Sequence, residues 1–116
     1  MTPEQQRIKI AGWVGWRFEP TSDGIPEWHR PDGSVDLSGL LPDYLNSLDA
    51  MHEAERTLTH SQGLSHFRIL RDRFATVMGP KGSVIGVNDY LLVTATAAQR
   101  AEALLRTIGK WEEEKP

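Results

Sequence analysis

The spacing of apolar and polar positions divides the chain into helix-period and strand-period stretches. Thr2, Pro3 and Gln5 form a helix start: threonine caps the free amides, proline fits the first turn, and glutamine stands at the reciprocal capping position. A helix is expected over residues 3–11, with Ile8 and Ala11 on a shared face and Gly12 and Gly15 loosening the chain after it. Trp16 and Phe18 then alternate with Arg17 and Glu19, the period of a strand. A loop at residues 20–26 separates this from a second short strand, Glu27-Trp28-His29-Arg30, closed by the turn Pro31-Asp32-Gly33-Ser34. The two strands read as a hairpin.

Residues 46–57 return to helical spacing. Asn46 is the expected cap, Asp49 favours the positive helix end, and Leu48, Met51, Ala54, Glu55 and Leu58 share a face. Thr59 and Gln62 make a fresh capping box, followed by the apolar stripe Leu64, Phe67, Leu70, Phe74 and Met78, with Arg68 and Asp72 towards solvent. Gly79-Pro80-Lys81-Gly82 is expected to end that helix. The β-rich runs 83–87 and 90–94, joined by Asn88-Asp89, read as a second hairpin. A third box, Thr96 with Gln99, opens a last helix that buries Ala97, Ala101, Leu104, Leu105 and Ile108 and stops at Gly109. The order α-β-β-α-α-β-β-α predicts an α+β fold, an antiparallel sheet of about four strands with helices packed on it. Residues 1–111 form one domain and 112–116 a charged tail.

Bulk composition narrows the function. A chain of 116 residues has room for one core. Its net charge of −3 argues against a dedicated duplex-binding protein, which carries a positive excess for phosphates. With no cysteine there is no disulfide, thiolate metal site or cysteine nucleophile. The polar N-terminus lacks a signal-peptide pattern and no apolar run approaches the ~20 residues of a membrane span. A cytoplasmic setting is the simplest expectation.

Catalytic signatures are absent. His52-Glu53-Ala54-Glu55-Arg56 begins like a zinc-protease helix but lacks the second histidine, and His29, His60 and His66 show no ligand spacing with it. No serine-hydrolase elbow or dinucleotide fingerprint occurs. Gly79-Pro80-Lys81-Gly82-Ser83 lacks the spacing of a phosphate loop and reads as a turn before a strand. The expectation is a protein that is not an enzyme and needs no metal or cofactor. Glu55 stands out because it shares a face with Met51 and Leu58, where a carboxylate needs a cation or donor. An ion pair with an arginine and a functional carboxylate are both open readings.

The densest unexplained chemistry is aromatic and basic. Trp13, Trp16, Arg17, Trp28, His29 and Arg30 fall within eighteen residues. Indole faces stack on nucleobases and arginine grips phosphate oxygens, whereas the packing alternative makes Trp16 and Trp28 cross-strand neighbours. Asp43, Tyr44 and Asn46 precede one helix, and Thr96, Gln99 and Arg100 open another. Capping explains most of them, yet helix starts also present amides to anions, and Arg100 opposes the helix dipole. The candidate ligand site is therefore Trp16, Arg17, Trp28, Arg30, Tyr44, Asn46, Thr96, Gln99 and Arg100.

Two longer strings carry a family resemblance. Residues 41–55, LPDYLNSLDAMHEAE, and residues 95–106, ATAAQRAEALLR, followed by Thr107, Gly109 and Trp111, resemble the phage ABA-sandwich domain family. The opening Glu4-Gln5-Gln6-Arg7-Ile8 with Gly15-Trp16 is similar to the way those proteins begin. The resemblance implies a phage origin, a layered fold of helices around a sheet, and the cytoplasm of an infected bacterium, but no reaction. Within that setting the leading expectation is a counter-defence protein that sequesters a nucleotide-derived immune signal, a cyclic oligonucleotide or ADP-ribose derivative, as a homo-oligomer. The alternative is an accessory interaction module or a direct inhibitor of a host protein, whose signature is an exposed apolar patch. Neither membrane nor nucleic acid is an expected partner.

Overall fold

The computed structural model describes residues 1–20, 26–36, 41–78, 80–82 and 84–113. Most of the loop expected at 20–26, Gly79 and Ser83 of the glycine-rich turn, and residues 114–116 of the tail lie outside the described residues.

Helix α1 (Pro3–Val14) starts as its sequence dictates: the Gln5 amide donates to Thr2 Oγ1 (3.1 Å) and Gln5 Oε1 accepts from the Thr2 amide (2.9 Å). It runs through Gly12, whose helical cost is only about 1 kcal/mol relative to alanine, and ends at Gly15 (φ 118°). Its buried residues are Ile10 and Ala11, with Val14 packed against the same core. Ile8, read as sharing a face with Ala11, is exposed while Ala11 is buried, because the inward line runs from Ile10 to Val14.

Strands β1 (Arg17–Pro20), β2 (Pro26–His29) and β3 (Val35–Asp36) form an antiparallel sheet in the order β1-β2-β3. The expected hairpin is present, and the turn after it leads into a third strand the pattern did not suggest. The register sets Phe18 opposite Trp28 and Arg17 opposite His29. The Phe18 and Trp28 rings meet edge to face at 4.9 Å and 61°. Trp28 thus has Phe18, not Trp16, as its cross-strand aromatic partner.

Helix α2 (Leu48–Glu55) is capped by Ser47, whose Oγ accepts from the Ala50 amide (3.2 Å). Asn46, the expected cap, stands one residue too early, and its side-chain amide bonds the Asp43 carboxylate instead. Met51 and Ala54 are buried and Leu58 packs beside them, while Leu48 is exposed. Helix α3 (His60–Phe74) opens with the expected Thr59–Gln62 box. Its buried residues, however, are His66 and Leu70; Leu64 and Phe67 face solvent. Met78 is not in this helix at all but in β4 (Thr76–Met78).

Strand β4 pairs antiparallel with β5 (Val84–Val87), with an irregularity between Val77 and Met78, across a 3-10 turn at Pro80–Gly82. The second expected hairpin is therefore displaced towards the N-terminus. Residues 90–94 do not pair as a strand, because Asn88 caps a short helix α4 (Asp89–Val93) by accepting from the Leu91 amide. Helix α5 (Ala97–Thr107) has the predicted start, and the predicted face: Ala97, Ala101, Leu104 and Leu105 are buried, with Ile108 packed against them.

The core gathers on α5. One cluster joins Ile10 and Ala11, Tyr44, Met51 and Ala54 to Ala97, Ala101, Leu104 and Leu105. A second joins Leu70, Ala75, Leu92 and Ala95 to Ala103. Alanine at so many of these positions lets neighbouring helices approach α5 closely, and each fully buried leucine adds about 2 kcal/mol of apolar transfer energy. Helices α1, α2 and α3 pack on α5, and each sheet makes its closest contacts within itself. The α+β class holds, but the described strands divide into one sheet of three and one of two rather than a single four-stranded layer. The molecule measures 60 × 34 × 22 Å. Among the described residues no helix is long and apolar enough to cross a membrane.

Candidate functional site

A cleft of about 370 Å³ lies where the three-stranded sheet meets the helices, lined by Val14, Trp16, Arg30, Pro31, Asp32, Pro42, Tyr44, Glu53 and Ala54. That volume is within the range of small-ligand sites. Its geometry begins at Gly15. The left-handed backbone there turns the chain from α1 into β1, and a Cβ on Gly15 would lie 3.3 Å from Pro31 Cβ. This approach brings the turn after β2 against the end of α1 and closes one side of the cleft.

Trp16 and Tyr44 form its floor. Tyr44 is carried by the turn before α2 and is almost wholly buried. Burial pushes its phenol pKa up to about 12; the Trp16 indole N–H, bonded to the hydroxyl, pulls the other way, and the Glu53 carboxylate adds to the rise. The phenol therefore stays protonated at any physiological pH.

The rim is charged. Arg30 is braced by its own hairpin: Nη1 donates to Ser34 Oγ and the Val35 carbonyl (both 3.3 Å), and Nη2 lies 3.6 Å from Asp36 Oδ1. Asp32 accepts from the Ser34 hydroxyl (2.7 Å) and amide (2.8 Å), and these bonds hold its carboxyl below the usual range. With exposed Glu53 opposite, the cleft presents one guanidinium and two carboxylates around an aromatic floor.

Of the residues expected from the sequence, Trp16, Arg30 and Tyr44 come together here. The others are elsewhere. Arg17 is exposed on the sheet, 3.7 Å from Glu19, and Trp28 packs on Phe18. Asn46 bonds Asp43, and Thr96 and Gln99 cap each other across the start of α5. Arg100 turns away to Glu55, 3.2 Å distant, which realises the ion-pair reading of that carboxylate. Trp13 donates to Thr57 Oγ1 (3.0 Å) beside a second hollow of about 530 Å³, lined by Ile8, Lys9, Gly12, Trp13 and Lys110, which holds none of the expected site residues.

Asp32 and Glu53 were not singled out by the sequence. Asp32 was legible only as a turn residue, and Glu53 lines the cleft because Tyr44 shares a core cluster with Met51 and Ala54 of α2, which no local period reveals. Among the described residues no three histidine, aspartate or glutamate side chains converge as a metal cage. No family model, curated protein or solved structure matches this chain. The phage-family likeness therefore rests on the strings quoted above.

Proposed function

We propose that this is a ligand-sequestering protein that takes a nucleotide-derived signal into the Trp16–Tyr44 cleft, acting as a phage counter-defence protein in the infected cell. The observation that carries the reading is the meeting of Trp16, Arg30 and Tyr44, distant in sequence, around one hollow of ligand size. An indole face takes a base by stacking, and the guanidinium takes one phosphate. Asp32 and Glu53 suit the hydroxyls of a ribose, which carboxylates bind in other nucleotide sites. With two carboxylates to one guanidinium, a ligand whose hydroxyls and amino groups outnumber its phosphates fits better than a polyphosphate. The lining holds no amine, imidazole or aliphatic hydroxyl, and the reading gives its two carboxylates to the ligand's hydroxyls, as binding without turnover.

The test is a thermal melt of the purified protein against nucleosides, mononucleotides, ADP-ribose and cyclic dinucleotides. A ligand at a hundredfold excess over its dissociation constant adds about 2.7 kcal/mol of stability, a shift of several degrees for a chain this size. The shift is expected with ADP-ribose-type or sparsely phosphorylated ligands and is lost in Arg30→Gln. A flat panel overturns the proposal.

A further inference from the structure

The apolar stripe of α3 is turned the wrong way for a core helix. His66 and Leu70 face inward, whereas Leu64 and Phe67 are 57% and 54% exposed. With Arg68 and Arg71 they stand at positions i, i+3, i+4 and i+7, so all four share one helical face. Helix α4 packs against α3 through buried Leu92 and adds Tyr90, Leu91 and Val93, exposed by 73%, 42% and 75%. Five of the nine large apolar side chains exposed among the described residues thus lie on two packed helices, a concentration that marks an interaction surface.

The charges on this face select its partner. Arg68 makes no hydrogen bond or ion pair among the described residues, and Arg71 reaches only its sequence neighbour Asp72 (3.0 Å). A second copy docking through the same face would gather four guanidinium groups into one interface. Phe67 and Tyr90 carry rings a base can stack on, but Leu64, Leu91 and Val93 are aliphatic, and the net charge of −3 works against a polyanion. We propose that the outward face of α3, extended by α4, docks an acidic amphipathic helix of another protein. Leu64 and Phe67 would receive its apolar anchors, and Arg68 and Arg71 its flanking carboxylates. This surface is separate from the Trp16–Tyr44 cleft and does not depend on its ligand.

The probe is a labelled synthetic helix of about 18 residues, long enough to be helical when bound, with leucine at i, i+3, i+4 and i+7 and glutamate beside them. Its control carries lysine for glutamate. Fluorescence anisotropy should show the acidic peptide binding at least about tenfold more tightly than the control, with affinity falling as salt rises. Phe67→Gln should weaken binding by about tenfold or more at an unchanged melting temperature, since the side chain is exposed, and Arg68→Glu should erase the charge preference. Equal binding of both peptides, or binding of neither, overturns the proposal. So does a concentration-dependent dimer in sedimentation that Phe67→Gln dissolves, because the occupant is then a second copy.

Discussion

The Glu55 carboxylate of α2 accepts a 2.8 Å hydrogen bond from Nε2 of His66, a histidine buried on the inward face of α3. Arg100 of α5 approaches the same carboxylate at 3.2 Å, so one side chain ties three helices together. Nδ1 of the His66 ring is buried without a hydrogen-bond partner among the described residues, which leaves Glu55 as the group that compensates the imidazole.

Burial raises the Glu55 pKa, but the hydrogen bond and charge of His66, the Arg100 guanidinium and His52 outweigh it and hold the carboxyl below its ordinary 4.5. A carboxyl whose folded pKa is depressed stabilises the fold above its unfolded pKa, and that contribution is lost as pH falls through the folded value. Glu55→Gln should therefore cost about 2 kcal/mol at pH 7, where Arg100 loses its counter-charge. The gap between wild type and variant should narrow in acid, below the ordinary 4.5. Urea unfolding midpoints at neutral and acid pH measure both. A gap that is the same at both pH values means the carboxylate charge contributes nothing.

Gly15→Ala tests the join between the helices and the three-stranded sheet. An alanine there must adopt φ 118° and place its Cβ 3.3 Å from Pro31. The backbone strain alone costs about 1–2 kcal/mol, and the crowding falls on a proline ring with little freedom to yield. The melting temperature should drop by roughly 4–8 °C. Because Trp16 and Pro31 line the cleft, ligand affinity should fall in the same variant.

Tyr44 makes the alkaline limit of stability predictable. Its folded pKa of about 12 lies above the ordinary 10.0. Between those values the unfolded chain releases a proton that the folded chain keeps, so the stabilisation is complete below pH 10 and declines as pH rises to about 12. Tyr44→Phe removes that decline. The variant should lose less stability than wild type between pH 9 and 11.5, read as the slope of unfolding free energy against pH.

Helix starts were the most legible part of this sequence, because a capping box is a local bargain among four consecutive residues. Thr2 with Gln5, Thr59 with Gln62 and Thr96 with Gln99 all form as their spacing predicts. The orientation of α3 was not legible. Leu64 and Phe67 satisfy a helical period as well as Leu70 does, and only the packing of α3 on α5 decides that His66 and Leu70 go inside. The same limit applies to residues 90–94, whose composition suits a strand. Asn88 supplies a cap, β5 is already paired with β4, and the segment closes as a helix. For the cleft, composition pointed to Trp16, Arg30 and Tyr44, but the acidic rim depends on tertiary placement. Arg17 and Arg100 looked equally suited to a phosphate, but the fold sets Arg17 beside Glu19 on the sheet and Arg100 against Glu55, and neither lines the cleft as Arg30 does.

The start of α5 separates two uses of a helix N-terminus. A capping box closes two of the amides at that end, and the donors it takes cannot also bind an anion. Here Thr96 Oγ1 accepts from the Gln99 amide (3.1 Å), and Gln99 Oε1 accepts from the Thr96 amide (3.0 Å). The Arg100 side chain, which could have drawn an anion to this end, is instead committed to Glu55 and the Ala95 carbonyl. Thr96→Ala should therefore lower stability by about 1 kcal/mol while leaving the affinity of any cleft ligand unchanged, and Thr96→Ser should restore most of the loss. Melting curves with and without ligand distinguish the two quantities. A loss of ligand affinity beyond the loss of stability would return Thr96 to the binding site and assign its amides to an anion after all.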